Sequence, residues 1–163
     1  MSISVEQLIQ SLKLEPHVEG GYFKRIYEAN HRPAITTERG SRLLLSCIHY
    51  LLTKQSPTGH WHLNQSDIVH FFQLGDPIDY YLIHPSGELE TVTLGPNPTL
   101  DHHLQLTVKG GIWKASHLAG GHYGLISEAV SPGFDYADMT LATRQELIDQ
   151  FPQHQAVITR FTR

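Results

Sequence analysis

The rhythm of apolar and polar positions changes twice along the chain. Near the start, Val5, Leu8, Ile9 and Leu12 recur at helical spacing, and Ser4 with Gln7 three residues on makes a capping box. A helix is predicted there, stopped by Pro16. Residues 22–27 alternate after the Gly20-Gly21 bend, whereas 31–42, polar and carrying Pro33 and Gly40, are expected to be a loop. From Leu43 the pattern is one of short strands: 43–52, a piece opening at Gly59, 67–74, 78–84 paired with 88–94 across Pro85-Ser86-Gly87, then 104–108, 112–116 and 123–130. Pro132-Gly133 ends that pattern. Thr143 with Glu146 makes a second capping box ahead of Leu147, Ile148 and Phe151, and 156–162 is expected to be a last strand or an extended tail. Many short strands punctuated by Gly and Pro, with helices only at the margins, predict an all-β sandwich or barrel. No repeat or linker interrupts it, so residues 1–163 are expected to form one domain.

Composition narrows the classes of function. With 40% apolar and 17% charged residues, the 163-residue chain can bury a core and lacks the signature of disorder. Twelve Lys and Arg against 16 Asp and Glu give a net charge of −4, and no basic stripe is present for nucleic acid or for an anionic membrane surface. No apolar run is long enough to span a bilayer. Cys47 is the only cysteine, which excludes an internal disulfide and a cysteine-built zinc site. The first residues lack the charged and apolar regions of a signal peptide, so a cytoplasmic protein is expected. The unusual count is 12 histidines, as many as Lys and Arg together.

In an extended strand, positions i and i+2 share a face, so His60 and His62 of Gly59-His60-Trp61-His62 are expected to point into one cavity. Two imidazoles so placed begin a metal site, to which Asp67 and His70 on the next strand would add an oxygen and a nitrogen. The plainer reading is one pocket histidine and one solvated. Glu19 beside Gly20-Gly21 can approach a ligand closely; alternatively it caps its own turn. Tyr22 and Arg25 suit a proton donor and an anion clamp, or simply an exposed strand face. Glu128, inside the apolar run 125–130, reads as a pocket carboxylate. Trp113 is expected in a pocket wall, Lys114 on the surface, and most remaining histidines in solvent.

The segment Pro16-His17-Val18-Glu19-Gly20-Gly21-Tyr22-Phe23 resembles the PHPEGGYF opening of a small family of single-domain cupins of unassigned function. Later landmarks match in order, among them Ser46-Cys47-Ile48-His49-Tyr50, Phe71-Phe72-Gln73-Leu74-Gly75-Asp76-Pro77 and Ser131-Pro132-Gly133-Phe134-Asp135. The resemblance implies a double-stranded β-helix, or jelly roll, with short flanking helices at both ends, usually as a homodimer. Cupins at large hold a metal with two His and a Glu from a first motif and a His from a second. Here His60 and His62 match the pair, but Ile68 takes the place of the Glu and Lys114 that of the last His. No metal or other cofactor is therefore expected; a divalent metal, if bound, would take His60, His62 and Asp67. Metal-free relatives include sugar-nucleotide epimerases, which implies His62 as base and Tyr22 or Tyr50 as acid. The resulting expectation is a small polar molecule, such as a sugar or nucleotide-sugar, held in the barrel among Glu19, His60, His62, His70, Trp113 and Glu128 and acted on by a metal-independent epimerase or isomerase. The alternatives are a metal-dependent enzyme built on His60 and His62, or a non-catalytic binding protein.

Overall fold

A strand with apolar residues on one side must cover that side, and two stacked sheets do so for each other. The computed structural model describes residues 3–163, so Met1 and Ser2, where the N-terminal stretch begins, lie outside the described residues. Its larger sheet runs β1 (Glu15–Pro16), β2 (Tyr22–Glu28), β5 (Ser46–Thr53), β12 (Tyr123–Ser131), β7 (Asp67–Gly75) and β10 (Gln105–Val108), in that spatial order. The facing sheet runs β13 (Met139–Leu141), β6 (Thr58–Asn64), β11 (Trp113–His117), β8 (Ile78–Ile83) and β9 (Leu89–Leu94). The pairings within both sheets are antiparallel, which is the jelly-roll arrangement expected.

Alternation sorts the side chains into three apolar clusters. Tyr50, Leu52, Ile78, Tyr80, Leu82, Leu94, Leu106 and Ile126 fill the space between the sheets. Trp61, Ile83 and Ala115 face the other way, onto the C-terminal helices α2 (Arg144–Gln150) and α3 (Gln155–Phe161). Leu51 and Leu125 cover the outer face of the larger sheet together with the N-terminal helix α1 (Val5–Leu12). Helices therefore flank the sheets at both chain ends. Among the described residues no helix is long and apolar enough to cross a membrane.

Local departures have identifiable causes. The Ser4–Gln7 capping box forms, but α1 ends at Lys13 in the left-handed region, before Pro16 is reached. The second box does not form: the Thr143 hydroxyl is taken by the Glu146 carboxylate instead of capping a backbone N–H. Residues 156–162 are neither strand nor tail. Leu147, Ile158 and Phe161 pack together against Trp61, and that packing favours helix α3 despite the β-branched Val157-Ile158-Thr159. The presumed loop 31–42 contains a hairpin, β3 (Ile35–Thr37) with β4 (Gly40–Arg42). It is tied down by Asp138, which accepts from Arg39 Nε at 2.9 Å and from Arg42 Nε and Nη2 at 2.8 Å each.

Two glycines separate backbone conformation from crowding. Gly20 and Gly111 both have positive φ, but a Cβ on Gly20 would sit 2.1 Å from the Thr58 carbonyl oxygen, whereas one on Gly111 would meet nothing within 4 Å. Gly111→Ala should cost about 1–2 kcal/mol, the left-handed penalty alone. Gly20→Ala should cost more than about 4 kcal/mol. Urea denaturation of the two variants checks the order.

Candidate active site

The loop before β2 carries the first functional side chain. Gly20 and Gly21, both at positive φ, fold the segment His17–Gly21 back on itself, with His17 N–H bonded to the Gly21 carbonyl. The loop is anchored from outside: His60 N–H donates to the Glu19 carbonyl at 2.7 Å, and Tyr50 Oη donates to the Gly20 carbonyl at 2.9 Å. Glu19 is thereby turned inward and buried, with Oε2 3.3 Å from His62 Nε2. His62 Nδ1–H donates to the His60 carbonyl at 2.7 Å, which leaves Nε2 as the acceptor facing Glu19.

The larger sheet supplies a second carboxylate–imidazole pair. Glu128 on β12 lies directly across from His70 on β7, with Oε1 3.5 Å from His70 Nε2. His70 Nδ1–H donates to the Leu106 carbonyl at 3.2 Å, so Nε2 accepts. Its donor is Lys114 Nζ at 2.7 Å, reaching from β11 on the opposite sheet. Two small cavities adjoin these groups. One, of about 20 Å³, is lined by Glu19, Glu128, Ile48 and Phe134 among others. The other, of about 10 Å³, is lined by His62, Ser66, Val108 and Lys114; Asn64 and Ile68 line both. Larger grooves flank α1 on the outer surface, away from this cluster.

Burial sets the protonation states. It raises Glu19 to about 8, with Glu128 adding to the rise and Lys114 opposing it. It drives His62 and His70 well below the usual imidazole range, and Lys114 pushes both further down. His17 falls to about 4 for the same two reasons, and accepts the Glu19 N–H on Nδ1 at 3.1 Å. At neutral pH the three imidazoles are uncharged, and Glu19 holds a proton it can donate to His62.

Of the residues singled out from the sequence, Glu19, His62, His70, Glu128 and Tyr50 come together inside. Tyr50 is committed to the Gly20 carbonyl, and burial raises its hydroxyl well above the usual phenol range. His60 does not join them. Lys114 pairs with His62 and Ser116 with Gly59, so His60 and Trp61 together oppose the single Ala115 in a β-bulge. The extra residue breaks the i, i+2 rule and turns His60 toward α3, where its ring meets the Phe161 carbonyl at 3.1 Å; Trp61 Nε1 donates to the Val157 carbonyl at 3.2 Å. Trp113 also faces the C-terminal helices, and Tyr22 packs on the α1 side of the larger sheet. Arg25 stands at the mouth, donating to Glu28 at 2.6 Å, with its guanidinium 5.7 Å above the Phe134 ring.

The metal set named from the sequence is not assembled. Asp67 is exposed and accepts the Gly110 N–H at 2.8 Å, and among the described residues no three His, Cys, Asp or Glu are grouped to hold an ion. Two expectations are corrected, since Lys114, expected on the surface, and His17, expected with most other histidines in solvent, both have buried side chains; Asn64 and Ser66 were not singled out from the sequence. Alternation was the available signal for Lys114, since Ile112, Lys114 and Ser116 share the inward face.

The family model described as Cupin superfamily (DUF985) matches residues 6–142, so the chain belongs to that family. A hypothetical protein from Leishmania major is 32% identical with a TM-score of 0.90, the match covering 98% of each chain. A protein from Shewanella oneidensis is 32% identical with a TM-score of 0.89, covering 100% of this chain and 99% of that one. An uncharacterized Saccharomyces cerevisiae protein is 35% identical over 84% of this chain and 74% of its own. At 14% identity and a TM-score of 0.54, the dTDP sugar isomerase from Desulfovibrio desulfuricans, covering 74% of this chain and 83% of its own, shares the fold.

The raised Glu19 acidity has a signed consequence. The folded protein keeps a proton that the unfolded chain releases near 4.5, so this residue makes stability fall as pH rises from about 4.5 to about 8. Glu19→Gln should gain on the wild type across that window and level off above it. Melting temperatures of both proteins from pH 5 to 9 test this, and a constant difference would contradict it.

Proposed function

We propose that this cupin-superfamily protein is a metal-independent proton-transfer enzyme of the epimerase or isomerase type, acting on a small polar molecule in the cavity between its sheets. The observation that carries the reading is the pair of carboxylate–imidazole couples, Glu19–His62 and Glu128–His70, brought from the two sides of one interior. Inverting a carbon centre needs one group to remove a proton and a second, on the other side, to return one. His62 Nε2 takes the proton from a carbon beside a carbonyl, the electron pair moves onto the carbonyl oxygen, and Glu128 delivers a proton from the opposite side. Glu19 stands against His62, and Glu128 stands against His70. The uncharged histidines support this assignment, because an unprotonated Nε2, reached once Glu19 yields its place to the substrate, is what a base requires. Tyr50 and Tyr22 are not given the acid role, the first being tied to a backbone carbonyl and the second lying outside the cavity.

The sugar or nucleotide-sugar substrate remains part of this proposal, supported by the fold shared with the dTDP sugar isomerase. So do the single-domain organisation, the cytoplasmic location and the homodimer. For the dimer, the larger sheet offers an outer surface on which Phe71 and Leu74 stand exposed.

In deuterium oxide, a substrate drawn from nucleotide-sugars and sugar acids should acquire deuterium at the carbon next to its carbonyl. His62→Gln and Glu128→Gln should each slow the exchange by about 10²–10⁴-fold, the usual worth of a positioned acid or base. Tyr50→Phe should leave it within a few-fold. Mass spectrometry reads the label, and exchange that survives His62→Gln at the wild-type rate would sink the assignment.

A further inference from the structure

The bulge in β6 turns the His60 ring out of the interior, yet the His60 main chain stays at the centre of the site. Its N–H donates to the Glu19 carbonyl at 2.7 Å, and its carbonyl accepts from His62 Nδ1 at 2.7 Å. One residue therefore grips both members of the Glu19–His62 couple, the first by its donor and the second by its acceptor. The other anchors from outside the loop fall on the two glycines. Tyr50 Oη holds the Gly20 carbonyl, and the Gly21 N–H donates to Ser56 Oγ at 2.9 Å. Glycine linkages are soft, so these anchors fix the bend and leave the Glu19 peptide to the His60 N–H.

The ring gives that main chain its own support. A bulge leaves its extra residue outside the ladder, and here the side chain takes over the task of fixing it. His60 Nδ1 meets the carbonyl of Phe161, the last residue of α3, at 3.1 Å. A carbonyl only accepts, so Nδ1 carries the proton. Carbonyls in a final helical turn have no partner within the helix, and this one is satisfied by the ring. The support is rigid: Phe161 is 1% exposed, and Arg144 of α2 holds Thr162 by its hydroxyl at 3.0 Å and its carbonyl at 3.3 Å. The ring also lies against the bend, since a Cβ on Gly20 would meet His60 Cδ2 at 3.4 Å.

We infer that His60 is the positioning residue of the Glu19–His62 couple, with the end of helix α3 as the support from which it works. This goes beyond the proton-transfer reading and holds whichever reaction the site performs, because it concerns where two side chains are held. Besides His62, Glu19 is faced by His17 on its own loop, Lys114 on β11 and Glu128 on β12. A substitution at residue 60 removes none of them.

Nitrogen-15 NMR of the full chain reads the tautomer of His62 directly, and carbon-13 NMR follows the Glu19 carboxyl, identified by its loss in Glu19→Gln. The wild type should show one His62 tautomer, with the proton on Nδ1. His60→Ala removes the ring, whereas His60→Phe keeps its bulk and loses the donor, which guards against a folding failure of the first variant. Both should turn the single tautomer into a mixture. In both, Glu19 should titrate more than about one pH unit below its wild-type midpoint, as water reaches the carboxyl. His60→Asn, whose amide N–H stands where Nδ1 stood, should restore both signatures. A residue serving stability alone would lower the melting temperature and move neither signature. The inference falls if either signature keeps its wild-type value in the variants that fold, or if His60→Asn behaves as His60→Ala does. Neither readout involves a substrate, so failure of deuterium exchange would end the proton-transfer reading and leave this inference standing.

Discussion

A lysine nitrogen enclosed between two β-sheets imposes a demand on everything around it. Removing an ammonium from water is costly unless hydrogen bonds and nearby charge replace the lost hydration. Here the replacement comes from across the interior: Lys114 leaves the smaller sheet and reaches His70 on the larger one. That bond requires a neutral imidazole with a fixed tautomer, and the Leu106 carbonyl fixes it. Burial is the main reason that His62, His70 and His17 stay uncharged, and the same positive charge adds to it. Glu128 stands beside His70, and Glu19, desolvated by burial, keeps its proton. The protonation pattern of the cavity follows from burial first and from that reach second.

Backbone irregularity decides which residues take part. The glycine-built loop before β2 carries no regular strand, and that freedom lets Glu19 turn under the sheet edge. The bulge in β6 acts in the opposite sense, removing His60 from the interior and giving it to the Phe161 carbonyl. A regular β6 would have offered two imidazoles to one cavity. With the bulge it offers one, and the space opposite is held by Lys114.

The strands were legible because alternation is a strong local signal: most spans placed from it survive within a residue or two, and the expected hairpin of 78–84 with 88–94 forms. The jelly roll and its flanking helices were legible as well. What escaped depended on contacts distant in sequence. Helix α3 carries the β-branched run Val157-Ile158-Thr159, and only packing against Trp61, some 96 residues away by the Trp61–Val157 hydrogen bond, makes it helical. The 35–42 hairpin is held by Asp138, which nothing local to the hairpin announces. Tyr22 alternates correctly, but which face met the core was decided by α1. Lys114 was misplaced because its charge was weighed above its phase in the strand, whereas Glu128, in the same situation, was placed correctly.

The cavity groups lie at residue 19, on the loop before β2, and at 62, 70, 114 and 128, on strands that the jelly roll interleaves. Contacts between residues so far apart form late and reward the chain only after long loops have closed. No fragment that makes one sheet alone can hold Lys114 against His70, because the two stand on different sheets. The chemistry of this protein is therefore an all-or-none property of its folding. A partly folded chain would expose a lone lysine and scattered histidines to water, each with ordinary acidity and no shared purpose.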